Sequence, residues 1–152
     1  MHEVIRGGIA GFVGTAAMTA VIAAERVAGL MRDRPAPEII GANIETAMGV
    51  RDMLPDAVFQ VSWLLQHFGY GTNAGVGYAL LEKRLPVGKP VLGGALYGIA
   101  LYLVGYAGWL PLLGLYPPPA RNPGRKVAML VAEHIVFATT MALTYRGVSA
   151  RA

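Results

Sequence analysis

The chain reads as an all-α integral membrane domain: a four-helix bundle, built as two similar helical hairpins, with a short amphipathic surface helix after the first span. Three observations predict this. Only 14% of the 152 residues are Asp, Glu, Lys or Arg, against roughly 25% in a soluble domain. The apolar fraction is 55% and the mean hydropathy is +0.48. Stretches long enough to cross a bilayer core as helix, roughly 20 residues, recur four times. The same numbers exclude disorder. The absence of cysteine excludes a disulfide scaffold, thiolate metal sites and covalent haem attachment. A barrel would show strands of about ten residues with dyad alternation, and the long apolar runs show none. Residues 1–152 form one domain on this reading.

The first span covers about residues 7–24 and is closed by Glu25 and Arg26. It is longer and richer in glycine than a signal-peptide core, so it reads as a retained helix. Residues 25–56 then hold six of the nine acidic groups and four of the thirteen basic ones. Pro35 and Pro37 mark a break, and Pro37 suits a first helical turn. Ile40, Ile44, Ala47 and Met48 form one stripe at helical spacing, with Glu38, Asn43 and Glu45 elsewhere around it. This predicts a helix over about 37–50, lying on the membrane or docked as a loop helix. Pro55 ends the segment.

The second span, about 57–81, has His67 as its one titratable group besides tyrosines. A compact basic loop covers 82–90. The third span, about 91–116, is kinked or ended by Pro111. Trp109, like Trp63, reads as an interface anchor. A Pro-rich connection leads to the fourth span, about 127–145, which contains Glu133 and His134. With four spans, one side carries six Lys and Arg residues and the other seven. The tight Lys83-Arg84 pair tips the reading towards both termini in the cytoplasm.

Spans two and four align on their histidines. His67 pairs with His134, Tyr70 with Phe137, Thr72 with Thr139 and Tyr78 with Tyr145. The histidine and the aromatics at offsets of three and eleven fall on one helical stripe. Spans one and three both carry a Gly-Gly pair and small-xxx-small spacing, Gly7/Gly11 and Gly94/Gly98, which lets backbones approach closely. Gly71 and Gly75 in the second span read the same way. His67 and His134 start about 15 Å and about 10 Å below one membrane face, at 1.5 Å per residue. The two imidazoles therefore fall at nearby depth.

Ionisable groups inside a span usually face the interior, a cavity or a partner. Here they are His67, Glu133 and His134. Glu133 and His134 are consecutive, so they point about 100° apart and face different surroundings. Three chemistries are compatible with them: hydrogen-bonded packing, a proton or ion relay with Glu25 near the same face, and a haem or metal held between His67 and His134. Gln60, Gln66, Thr72, Asn73, Thr139 and Thr140 read as interhelical hydrogen-bond glue. The glycine-rich run 69–77 has no preceding strand and no lysine in place, so it is no phosphate loop. There is no nucleophile–base–acid arrangement and no paired carboxylate at catalytic spacing, so no enzyme is expected. The pI near 9.6 fits loops beside anionic lipid rather than nucleic acid.

Several pieces taken in order carry a resemblance. They are Gly7-Gly8-Ile9-Ala10-Gly11 with Met18-Thr19-Ala20; His67-Phe68-Gly69-Tyr70-Gly71 with Tyr78-Ala79-Leu80-Leu81; Gly108-Trp109-Leu110-Pro111 with Pro117-Pro118; and His134 after Met129-Leu130-Val131-Ala132. In these the chain resembles the uncharacterised bacterial inner-membrane proteins related to YagU. The resemblance implies four helices, a surface segment after the first and a bacterial plasma membrane. It implies no assigned reaction. Glu133 stands where the resemblance implies a small residue before the final histidine. The functional expectation is a non-enzymatic multi-pass protein in the lipid bilayer. It would act through helix–helix contacts, as an accessory subunit of a complex or as a homo-oligomer. A relay or transport protein using Glu133, His134 and His67 is the alternative. A haem- or metal-binding electron-transfer subunit comes third.

Overall fold

The computed structural model describes residues 2–31, 33–82 and 89–150. The Lys83-Arg84 pair lies outside the described residues. Five helices make up the fold: α1 Glu3–Val27, α2 Ala36–Ala47, α3 Asp56–Leu81, α4 Pro90–Leu112 and α5 Gly124–Ser149. No strand occurs among the described residues. Prolines set the starts. Pro35, Pro55 and Pro123 each precede a helix and Pro90 opens α4, where a missing N–H leaves nothing unsatisfied. Glycines in the left-handed region set three ends, Gly29 at φ +67°, Gly49 at +72° and Gly114 at +69°. There the next amide turns back, as when Leu30 N–H donates to the Glu25 carbonyl at 2.8 Å.

Helices α1, α4 and α5 are each long and apolar enough to cross a membrane. Helix α3 is equally long but less apolar, because Gln60, Ser62, Gln66, His67, Thr72 and Asn73 interrupt it. Large apolar side chains point outward from these helices, among them Phe12, Leu65, Leu96 and Val104, as they do in a membrane protein.

Helix α1 packs along α3 and α5, and α4 packs along α5. Both hairpin contacts use the glycine faces foreseen in the sequence. A Cβ on Gly7 would lie 2.6 Å from the Gly75 carbonyl oxygen, and Gly11 sits as closely on Gly71. A Cβ on Gly94 would lie 2.6 Å from the Ala138 carbonyl oxygen, and Gly98 sits on the His134 carbonyl. Backbone thus touches backbone in α1–α3 and again in α4–α5. The aligned residues Tyr78 and Tyr145 meet edge to face, with centroids 6.0 Å apart.

Helix α2 corrects the sequence reading. It forms where expected, but the stripe it buries is Ala36, Glu38, Gly41 and Glu45, while Ala47 and Met48 are exposed. It docks on α3 with Gly41 against the Cβ of Trp63. Glu45 faces inward because Ser62 and Gln66 of α3 supply donors to its carboxylate, and a buried carboxylate that is hydrogen-bonded costs far less than an unpaired one. Helix α4 holds a second departure. Residues Leu103–Trp109 widen into a π-helical segment, with Gly108 at φ −108° and ψ −106°. Pro111 has no N–H and its ring crowds the carbonyl one turn back, so the preceding turns widen to accommodate it.

Candidate functional site

Helices α1, α3, α4 and α5, with α2 laid across, line a half-open pocket of about 130 Å³. That is close to the ~150 Å³ apolar cavity known to hold one benzene in another protein. His67 and His134 both line it, with Gly105, Tyr106 and Trp109 from the π segment and Ile40 and Ile44 from α2. The shared-face alignment therefore brings the two histidines to one space. The repeat partners Tyr70 and Phe137 line it too. The walls are predominantly apolar, so each polar atom on them stands out.

His134 is buried, and its ring lies edge-on to Tyr102 and Tyr106 at 5.7 and 5.3 Å. Its Nδ1 is 2.7 Å from the Leu130 carbonyl oxygen one turn back. A carbonyl only accepts, so Nδ1 carries the proton and Nε2 is left with a lone pair. His67 has a buried Nε2 without a hydrogen-bond partner, and so has the Oε1 of Gln66. The Gln66 orientation follows from its neighbours. Ser62 Oγ gives its proton to Glu45 Oε1 at 2.5 Å and can then only accept, so Gln66 turns its amide nitrogen to Ser62 at 3.1 Å. Its carbonyl oxygen is the end left over.

Glu133 points elsewhere, as its register requires. It is 1% exposed and lies beside the Glu25 side chain. Two carboxyls so placed form a hydrogen bond only with a proton between them. One oxygen of each remains buried and unpartnered. Glu133 also lines a second, half-open pocket of about 310 Å³ together with Asp33, Arg34, Arg125 and Lys126. Nearby, beyond the end of α4, burial and then the Glu133 and Asp33 carboxylates push the Tyr116 phenol up to about 12.

Of the six polar residues expected to bond between helices, Gln66 does so, to Glu45 on α2. Asn73 instead donates to the Gly69 carbonyl in its own helix, and the Thr139 hydroxyl is buried without a partner. Gln60 accepts from Trp63 within α3. Asn73 thus satisfies itself on the carbonyl one turn back and needs no neighbour. Trp109 turns its ring towards Tyr70, centroids 6.5 Å apart, at the cavity wall. The residues that sequence reading did not place at the site are Gly105, Tyr106 and Glu45. A signal for Glu45 existed in Ser62 and Gln66, one turn apart beside His67. Among the described residues no group of three or more His, Asp or Glu side chains gathers as a metal site.

Compared with known proteins, residues 1–152 match the model of a family of unknown function, DUF6789. No curated protein and no solved structure matches the chain. The chain belongs to the DUF6789 family.

Proposed function

We propose that this DUF6789 member is a multi-pass membrane protein that binds a small, ring-sized molecule in the cavity between His67 and His134. In this reading α1, α3, α4 and α5 cross the bilayer as a four-helix bundle, and α2 covers the cavity from one side. The bilayer is a bacterial plasma membrane with both termini cytoplasmic, supported by the YagU-like motifs and the Lys83-Arg84 pair. The single observation that carries the reading is that two histidines, on different helices and 67 residues apart in sequence, line one apolar space of single-ring size. The glycine faces that would suit an accessory subunit or a homo-oligomer are spent inside the protomer, on α3 and α5. A partner would meet the apolar outer face instead. The volume suits one ring.

A test uses the cavity wall. A Cβ on Gly105 would meet only the Leu110 Cδ1, at 3.9 Å, so Gly105→Leu should fold and fill the space. Phenol or toluene should raise the melting temperature of the wild-type protein in detergent and leave Gly105→Leu unmoved. Equal responses of the two proteins would count against the reading.

A second reading, a proton relay, is favoured by the buried Glu133 carboxyl, which lies beside Glu25. Tyr116 and Tyr106 are in ring contact at 5.0 Å, and the Tyr106 ring lies 5.3 Å from that of His134. A relay would use these titratable side chains between the two pockets. Loss of proton flux into liposomes in Glu133→Gln, with stability kept, is the outcome this reading expects.

A further inference from the structure

The second pocket lies where two long apolar helices end. Helix α1 stops at Val27 and α5 starts at Gly124, and both are long and apolar enough to cross a membrane. In a bilayer the pocket between these ends falls where hydrocarbon gives way to lipid headgroups. Its lining has two parts. Arg34, Arg125 and Lys126 supply three cations, and Leu30, Met129 and Leu130 supply an apolar wall. Lys126 Nζ is 5.8 Å from the centre of the Tyr116 ring and 3.5 Å from Asp33 Oδ2. Arg34 pairs with Glu38 at 3.7 Å. The side chains of Asp33 and Arg34 are 73% and 67% exposed, and ion pairs so exposed are weak and yield to a better anion. Arg125 is exposed and makes no ion pair among the described residues. Glu133 also lines the pocket but is buried, so an entering anion meets the three cations first.

We propose that this pocket binds the headgroup of an anionic phospholipid. The lipid phosphate sits among Arg34, Arg125 and Lys126 and takes the place of Asp33 on Lys126, while the start of an acyl chain lies on Leu30 and Met129. Guanidinium groups suit that phosphate, because a planar fork of N–H donors meets two of its oxygens at once. A zwitterionic lipid carries the same phosphate, but its own cation faces three others, so net negative charge is selected. A free phosphate ion satisfies the cations and leaves the apolar wall against water. Cations beside an apolar wall at the end of a spanning helix therefore match a lipid better than a soluble ion. The proposal rests on α1 and α5 crossing a bilayer and is independent of the ring-sized pocket.

The experiment is thermal unfolding of the intact protein in a neutral detergent, titrated with phosphatidylglycerol, with phosphatidylcholine of the same chains, or with inorganic phosphate. The concentration that gives half of the rise in Tm reads the apparent affinity. Phosphatidylglycerol should act at about fivefold lower concentration than phosphatidylcholine, the scale of one Lys or Arg beside an anionic headgroup. Inorganic phosphate should give no rise at those concentrations. Arg125→Gln should remove the preference without unfolding the protein, because Arg125 is exposed and unpaired, and Lys126→Gln should do the same. Arg121→Gln removes an equal charge outside the pocket lining and should keep the preference. Equal action of the two lipids, or equal loss of preference in Arg121→Gln and Arg125→Gln, would overturn the proposal. Inorganic phosphate acting as strongly as the lipid would overturn the lipid as occupant. A protein that stays in solution without detergent would overturn the membrane reading and the proposal with it.

Discussion

Gly7 and Gly8 are neighbours with opposite surroundings, and alanine at each provides a sharp comparison. A Cβ on Gly7 would lie 2.6 Å from Gly75 O, 2.8 Å from Ala79 Cβ and 2.9 Å from Val76 Cα. Carbon atoms pack at about 3.5–4.0 Å, so α1 and α3 must move apart by nearly 1 Å. Two of the three obstacles are backbone, which no rotamer change relieves. Overpacking of this kind costs about 1–3 kcal/mol, and rigid obstacles place Gly7→Ala near the upper end. Replacing a mid-helix glycine by alanine returns up to about 1 kcal/mol of helix propensity. The net loss is about 2 kcal/mol, which lowers Tm by about 4–8 °C for a chain of this size. At Gly8 the nearest atoms would be Thr72 Cγ2 at 3.5 Å and Val76 Cγ2 at 4.0 Å. That is ordinary contact, so Gly8→Ala should hold Tm or raise it by about 2–4 °C. Thermal melts followed by circular dichroism in one detergent measure both. The contact lies within one chain, so the difference should not depend on protein concentration. Equal effects at the two positions, or a Gly7→Ala loss that vanishes on dilution, would refute the reasoning.

Two further substitutions test the polar interior. Glu133→Gln supplies Glu25 with an amide donor in place of the shared proton and should keep or raise Tm at neutral pH. Glu133→Ala removes the neighbour that Glu25 packs against and should cost about 1–3 kcal/mol; equal losses in the two variants would contradict the pairing. Tyr97→Phe keeps the ring contact with Tyr78 at 5.3 Å and removes only the 2.8 Å bond to the Ala74 carbonyl oxygen. Its expected cost is about 0.5–1.5 kcal/mol, read from the same melts, and no measurable change would show that the hydroxyl bond contributes nothing across α3 and α4.

Much of this arrangement was legible in the sequence, and what was missed has a common cause. Gaps between charges located α1, α4 and α5, because hydrocarbon forbids unpaired charge along a whole helix. The spacing of His67, Tyr70 and Tyr78 against His134, Phe137 and Tyr145 located the shared face, because helical register is a property of sequence alone. The divergence of Glu133 from His134 followed from the same register. Helix α2 was misjudged because hydropathy counts Glu38 and Glu45 as outward. Their partners on α3 exist only after the two helices dock. Glycine spacing revealed that close approach occurs, but not whether the neighbour is the same chain. The π segment depends on how α4 accommodates Pro111, and spacing does not encode it. Gln66 lines the site while its amide is held by Ser62 and by Glu45 on the neighbouring helix α2, a pairing that forms only when α2 docks.

The central claim is that a ring-sized molecule enters the space beside Trp109. The chain has two tryptophans, and Trp63→Phe leaves Trp109 as the sole tryptophan, excited selectively over tyrosine at the red edge of its absorption. Bromobenzene, a heavy-atom quencher of single-ring size, should then quench Trp109 saturably in detergent, and Gly105→Leu should abolish the saturable component. Quenching that rises linearly with bromobenzene and is identical with and without Gly105→Leu would contradict the account.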